Sequence, residues 1–212
     1  MLWILIACEN ELRVVDTTSD VLDAHGIQRL NLATTSENLA IVGTDDPEIA
    51  MSVELTTTRA SMSKDAKARM MLHLELRDDG GGEARAAVWF DHSINNYMTD
   101  VAVFLPRSLD LSLVDEYGEV HVENVGSLEL DDGDGDIEVV GVARDASFID
   151  GDGDLKVQSV GGNVDIDDGS GDIKIEDVAG VVTITDGSGD IKVIDATKVK
   201  VESDSSGEVT VK

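Results

Sequence analysis

Aspartate carboxylates recur at fixed intervals in the second half of the chain, and carboxylates are ligands that calcium favours. A phrase of the type Asp-Gly-x-Gly-Asp returns with an 18-residue period from Asp132 onward. Its first aspartates are Asp132, Asp150, Asp168 and Asp186, and its last are Asp136, Asp154, Asp172 and Asp190. If the copies stack, equivalent carboxylates lie about 5 Å apart and repel one another, which bound calcium would relieve. These aspartates are therefore candidate calcium ligands.

The same phrase also has a structural interpretation, because Asp and Gly are good turn formers. Asp side chains accept hydrogen bonds from nearby backbone amides, and Gly adopts positive φ angles. The turn glycines are Gly133, Gly135, Gly151, Gly153, Gly169, Gly171, Gly187 and Gly189. The pattern is similar to the calcium-binding β-roll, but that roll has two glycine-rich turns in each coil and this chain has one. The turn interpretation is therefore favoured, with calcium binding as the alternative.

No set of residues in the sequence indicates catalysis. The histidines, which are His25, His73, His92 and His121, lack the spacing of a metal site. Asp91, His92 and Ser93 are consecutive, and neighbours in a strand point to opposite faces, so they do not converge. A carbohydrate-active enzyme would use paired carboxylates in a groove, but aromatic residues for stacking on sugars make up only 3 % of the chain. We therefore predict a non-enzymatic protein without a cofactor, unless calcium binds.

Composition narrows the classes of partner. The net charge of −28 and the pI of about 4.1 give a field that repels nucleic acid and anionic lipid surfaces. A single cysteine excludes an internal disulfide. The sequence has no apolar run of the length that a transmembrane helix needs. These properties leave a protein or a glycan as the expected partner.

The first eight residues resemble the end of a bacterial lipoprotein signal. Leu5-Ile6-Ala7-Cys8 resembles a bacterial lipobox, and Cys8 is the only cysteine of the chain. A basic segment before the apolar stretch is missing and the stretch is short, so 1–8 is interpreted as a truncated signal peptide. The alternative is a short apolar first strand with an incidental buried cysteine. A lipid on Cys8 would be the only predicted membrane contact.

The elements that position the aspartates have the period-2 alternation of half-buried strands. Residues at equivalent positions of the period are alike, as with Ile137, Leu155 and Ile173. Like residues that stack on one another are typical of a coiled β architecture. The sequence therefore predicts an all-β fold, a single-stranded parallel β-solenoid of the β-helix type with 18-residue coils over 106–212.

Residues 9–105 are less regular and are predicted as an irregular β region that forms one continuous domain with the solenoid. A hairpin turn is expected at 78–82, and 58–69 fits either a short helix or a loop. Two departures from the period are visible. A 17-residue step separates Gly118 from Gly135, and an extra residue before Asp204 predicts a β-bulge.

The coils resemble a known family. The phrase Asp-Gly-Ser-Gly-Asp-Ile-Lys, which begins at Asp168 and again at Asp186, and the lead-in Val101–Pro106 are similar to the bacterial putative-adhesin family of β-strand-repeat proteins. The resemblance is strongest over 101–212. It implies a β-solenoid, an exported or membrane-associated setting and no established enzyme chemistry, in a family of unknown function.

Together these observations predict an exported, lipid-anchored protein of the bacterial cell envelope. Its predicted role is to offer a rigid acidic surface for adhesion, envelope scaffolding or protein contact. The last strand, Val209–Lys212, has no obvious cap, so edge-to-edge association with a second copy is a further expectation.

Overall fold

The structure is a computed structural model that describes residues 13–35, 38–57, 62–90 and 97–212. The predicted lipidation site Cys8 and the Asp91-His92-Ser93 triplet lie outside the described residues. The elements are β1 (Arg13–Asp23), β2 (Arg29–Thr34), β3 (Asn38–Thr44), β4 (Glu48–Thr57), α1 (Met62–Met71), β5 (Leu72–Gly80), β6 (Glu83–Phe90), β7 (Met98–Pro106), β8 (Asp110–Tyr117), β9 (Glu119–Val125), β10 (Leu128–Asp134), β11 (Ile137–Val142), β12 (Ala146–Asp152), β13 (Leu155–Val160), β14 (Val164–Ser170), β15 (Ile173–Asp186), β16 (Ile191–Asp204) and β17 (Val209–Val211).

Parallel strands form two stacks that share one core. Stack A contains, in spatial order, β6, β2, β8, β10, β12, β14 and the second halves of β15 and β16. Stack B contains β7, β3, β9, β11, β13, the first halves of β15 and β16, and β17. From β8 onward the chain alternates between the stacks, so each coil contributes one strand to each of them.

An 18-residue step sets the register between most of the coils. In stack A, Leu128 pairs with Ala146 and Ala146 pairs with Val164. In stack B, Ile137 pairs with Leu155. Equivalent residues of the repeated phrase therefore lie directly above one another, at the spacing of about 4.8 Å between hydrogen-bonded strands.

Both departures from the period occur where the sequence predicts them. Leu111 of β8 pairs with Leu128 of β10, which is a 17-residue step. Near the end of the stack, Ile184 pairs with Val201 but Thr185 pairs with Ser203, so the register shifts between these pairs. The shift is the β-bulge expected before Asp204, and it restores the 18-residue step.

The prediction of an all-β fold is confirmed, but the sheet is mixed rather than uniformly parallel. β5 and β6 form the expected antiparallel hairpin. β4 pairs antiparallel with β1 on one side and with β7 on the other. Helix α1 occupies much of the segment 58–69, which the sequence left open between helix and loop. We call β1, β4, β5 and α1 the cap, since they close the end of the stacks beyond β6 and β7.

The spatial order of the coils differs from their order in the chain. The coil made by β2 and β3 lies between the coil of β6 and β7 and the coil of β8 and β9. Along the chain, the β2–β3 coil comes first. The elements on its cap side follow, and the coils on its other side come last.

Alternation along each strand produces one continuous core. Val164 and Ile166 of stack A and Val157 and Ile175 of stack B all belong to it and are almost fully buried. Their neighbours in sequence point outward. The hydrophobic effect thus fixes the register, because a slip by a single position would turn every core side chain toward solvent.

A left-handed residue recurs in the stack B part of β9, β11, β13, β15 and β16. Its φ angle is 57° at Asn124, 80° at Gly141, 61° at Ser159, 60° at Asp177 and 55° at Asp195. In these five strands the ladder passes over the left-handed position, which has the form of a β-bulge. Asn, Asp and Gly tolerate this conformation best, and the recurrence of such residues at one position is a signal that the sequence-based prediction did not use.

Candidate functional site

The predicted aspartates form two columns, one that points into the protein and one that lies in the exposed turns. Asp132 follows Leu128 and Leu130 with the period of two that holds along a strand, so it points inward with them. Asp136 lies in the turn outside this strand. The inner column consists of Asp115, Asp132, Asp150, Asp168 and Asp186, and the outer column of Asp136, Asp154, Asp172 and Asp190. The period-2 rule applied to β10 would have shown this division, and Asp115 is a member that sequence reasoning missed.

The inner column is a row of buried carboxyl groups. Its members expose between 2 and 4 % of their surface. Register places Asp132 beside Asp150 and Asp150 beside Asp168. In the described part of the chain, no donor reaches hydrogen-bonding geometry at either carboxyl oxygen of these three residues.

Burial and like charge act in the same direction on this column. Burial raises the pKa of Asp132 to about 6 and that of Asp168 to about 6, with neighbouring carboxylates adding to the effect. Burial and the charges of Asp168 and Asp132 raise the pKa of Asp150 to about 7. The backbone amide of the residue that follows each aspartate opposes the shift but does not cancel it. The raised pKa values favour the protonated form of these three carboxyl groups at a pH where exposed aspartates are ionised.

The outer column joins successive coils through hydrogen bonds to the backbone. Oδ1 of Asp136 accepts from the amide of Asp154 at 3.0 Å, and Oδ1 of Asp154 accepts from the amide of Asp172 at 2.9 Å. The same bond joins Asp172 to the amide of Asp190, and Asp190 to the amide of Glu208, each at 2.9 Å. Each outer aspartate thus satisfies a turn amide of the next coil.

The predicted turn glycines lie between these columns, where the backbones of successive turns come close together. Gly153 has a φ of +147°, and a Cβ atom there would lie 2.0 Å from the carbonyl oxygen of Gly135. A Cβ atom at Gly151 would lie 2.2 Å from the carbonyl oxygen of Gly133. Both glycine positions of the phrase are therefore required by contact between coils, and the second also by its backbone conformation.

Within the described residues, the division of the columns leaves no site at which many ligands converge. Among the residues that the structure describes, no three or more His, Cys, Asp and Glu side chains are arranged to hold a metal ion. Calcium binding stays a prediction from sequence. The helical part of the described chain is α1 alone, which is too short and too polar to cross a membrane.

A groove runs along the outer face of stack B beside the outer column. Three adjoining depressions of about 440, 360 and 420 Å³ make up the groove. The first two share Glu119 and His121, and the second and third share Asp154 and Lys156. The groove therefore continues on the outer face of the sheet from β1 and β4 in the cap to β16.

Charges of both signs line the groove in rows. Lys156, Lys174 and Lys192 stand on its floor, and Asp154, Asp172 and Asp190 stand along the turns. Because Lys174 pairs with Lys156 and with Lys192 in the strand register, the rows follow the long axis of the stacks. Such rows could be contacted by a ligand with repeating polar groups.

Ion pairs organise the middle of the groove. Lys156 donates to Glu138 and holds the pKa of that carboxyl below its usual value, while Glu138 raises the pKa of the Lys156 ammonium. His121 lies beside the same carboxylate, with Nδ1 at 3.5 Å from Oε2 of Glu138. Exposed pairs of this kind contribute about 0–1 kcal/mol each to stability, so their main effect is to set the charge pattern.

A mixed β stack with repeated aspartate turns and no metal cluster in its described residues defines a repeat protein of the β class. The model of the family described as Toastrack DUF4097 matches residues 27–212, and the chain belongs to that family. This agrees with the putative-adhesin resemblance noted in the sequence. No curated protein matches the chain.

Solved structures of low sequence identity are similar to this chain. A putative adhesin from Bacteroides fragilis is 14 % identical with a TM-score of 0.53, and the match covers 93 % of this chain and 96 % of that one, which shows that the fold is shared. A putative cell adhesion protein from Clostridium sporogenes is 10 % identical with a TM-score of 0.49, and the match covers 94 % of this chain and 100 % of the other.

Proposed function

We propose that this protein is a non-enzymatic, exported surface protein that binds an extended partner along the groove of stack B. The observation that carries the proposal is the continuity of the groove, which passes over successive coils and repeats an Asp and a Lys in each coil from Asp154 to Lys192. A site for catalysis would instead need one place where the repeat is broken and several reactive groups converge.

Two further points support an adhesive or scaffolding role. The chain shares its fold with a protein that carries the name putative adhesin. The 18-residue step repeats over several coils, so the C-terminal part of the stack is proposed to act as a rigid parallel solenoid that spaces its surface side chains evenly.

The proposed setting is the bacterial cell envelope, with a lipid on Cys8 as the anchor. The expected partner is a glycan or a protein rather than nucleic acid, because the net charge of −28 repels polyanions. A lipid-modified Cys8 would be detected by metabolic labelling with an alkyne fatty acid, and Cys8→Ala should abolish the label.

Binding to an array of polysaccharides and extracellular matrix proteins tests the proposed surface. The double variant Lys156→Glu/Lys174→Glu reverses two charges in the groove. Lys198→Glu/Lys200→Glu makes the same change in charge on stack A and serves as the control. We expect the groove variant to bind its array partner at least tenfold more weakly than the control does.

Equal binding by the two variants would move the partner to another face, and the absence of any array partner would contradict a role in adhesion. The calcium alternative concerns the aspartates of both columns. It predicts that millimolar calcium raises the unfolding temperature relative to excess EDTA, since a ligand at 100 times its Kd stabilises the folded state by about 2.7 kcal/mol.

A further inference from the structure

Three neighbouring aspartates of the inner column are buried in surroundings that disfavour their charged form. Asp132, Asp150 and Asp168 are 3 to 4 % exposed. Within the described residues, no donor reaches hydrogen-bonding geometry at their carboxyl oxygens. An ionised carboxylate in such surroundings is strongly disfavoured unless a proton or a cation neutralises it.

The charged side chains that act on the column are acidic, and the groups that oppose its pKa shifts are the backbone amides of Gly133, Gly151, Gly169 and Ser170. The charges that act on Asp150 are those of Asp168, Asp132 and Asp152. Asp132 faces the charges of Asp134 and Asp131, and Asp168 those of Asp186 and Asp152. The strands that follow the turns begin with the buried apolar residues Ile137, Leu155 and Ile173. Among the residues that the structure describes, no basic group contributes a charge that acts on these three carboxyl groups.

Register makes the three carboxyl groups neighbours along the stack. Asp132, Asp150 and Asp168 are direct partners in neighbouring parallel strands, about 4.8 Å apart along the stack. One protonated carboxyl can then donate to the carboxylate of the next coil, in the way that closely placed carboxyl pairs share a proton.

We propose that the inner column is a proton-binding site, in which Asp132, Asp150 and Asp168 share protons along the stack and stabilise the coils only while those protons are held. The proposal concerns the interior of the coils and does not depend on what binds the groove.

The direction of the pH effect follows from the raised pKa values. The unfolded chain releases these protons near the ordinary pKa of 3.8, and the folded chain releases them near 6 to 7. The folded state therefore binds more protons between these values, and stability falls as pH rises from about 4 to 7. A carboxylate in an ion pair has the opposite effect, because its pKa is lowered on folding and its contribution to stability is lost as pH falls.

Urea unfolding of the full chain between pH 4.5 and 8 measures the effect. If one or two extra protons are bound, the unfolding equilibrium constant should rise by about ten- to a hundredfold per pH unit near pH 5 to 6. Asp150→Asn should reduce this slope and raise stability at pH 8. Asp154→Asn removes the same charge from the outer column and should leave the slope as in the unchanged chain.

Carbon-13 NMR of labelled aspartate gives a direct test that does not depend on unfolding. Three carboxyl resonances should titrate near pH 6 to 7, and Asp150→Asn should remove one and shift the titration of its neighbours. Aspartates that all titrate below about pH 5, or equal slopes for the two Asn variants, would overturn the proposal. A fall of the three midpoints on addition of millimolar calcium would also overturn it, because the column would then hold a cation in place of protons.

Discussion

Buried aspartates occur in both the cap and the coils, and their surroundings differ in kind. In the cap, Asp65 of α1 accepts from Nη2 of Arg13 at 2.7 Å and from the hydroxyl of Tyr97 at 2.8 Å. In the coils, Asp150 lies between two further aspartates. Burial alone would raise the pKa of both, but the bonds from Tyr97 and Arg13 reverse the shift at Asp65 and lower its pKa.

The difference shows that the two regions are held together by different means. The cap uses specific pairs of side chains to fasten a helix onto strands, as Asp65 does with β1. The coils use close contact of equivalent backbones, and their side chains are repeated because the backbone is repeated. Substitutions should therefore have their largest effects at backbone contacts in the coils and smaller effects at side-chain pairs.

Gly171→Ala is expected to have the largest effect. The added Cβ would lie 1.7 Å from the carbonyl oxygen of Gly153, at a φ of +147° that alanine rarely adopts. We expect a loss of about 3 kcal/mol or more in the free energy of unfolding, measured with urea. Gly81→Ala is the control, since Gly81 also has a positive φ but no atom within 4 Å of the added Cβ, and it should lose only roughly 1–2 kcal/mol. Equal losses would show that backbone conformation, rather than contact between coils, decides the effect.

Asp65→Asn should have an intermediate effect whose sign with pH is opposite to that of Asp150→Asn. Because the pKa of Asp65 is lowered, its charged form stabilises the cap above the ordinary pKa, and this stabilisation is lost as pH falls through the folded value. The difference in unfolding temperature between the unchanged chain and the variant should therefore be smallest near pH 2 and constant above about pH 5. If the difference in unfolding temperature instead grew from pH 5 to 7, Asp65 would behave like the inner aspartates of the coils, and the proposed contrast between cap and coils would be wrong.

Asp172→Ala should have the smallest effect of the three. It removes the oxygen that accepts from the amide of Asp190 at 2.9 Å on an exposed turn. A single hydrogen bond of this kind contributes about 1 kcal/mol, and hydrogen exchange at the Asp190 amide should rise in proportion. Asp172→Asn keeps an accepting Oδ1 and should retain the protection. Loss of protection in both variants would mean that charge, and not the acceptor, is what matters.

The sequence predicted the coils well because their information is local and repeated. The 18-residue step, the shorter step at Gly118 and the bulge before Asp204 are all visible as spacings. The sequence also contains the information that Asp132 points inward, because it lies two residues after Leu130 in the same strand. The prediction instead placed Asp132 in the turn, because Asp and Gly are typical turn residues.

The cap could not be predicted to the same extent, since its pairings join distant parts of the chain. Val53 pairs with Thr18 on one side and with Val101 on the other, and nothing local specifies either partner. The groove was missed for a similar reason. It is made by residues such as Asn38, Asp100 and Glu119, which only the folding of β3 between β7 and β9 brings together.

The placement of the β2–β3 coil between the cap and the later coils has a consequence for how such chains can change length. The cap lies on one side of that coil, and all 18-residue units are added on the other side. Duplication of one unit would thus lengthen the groove by a single strand spacing of about 4.8 Å and leave every contact of the cap in place. The length of the groove can therefore change in equal steps through duplication of units, while the cap end stays the same.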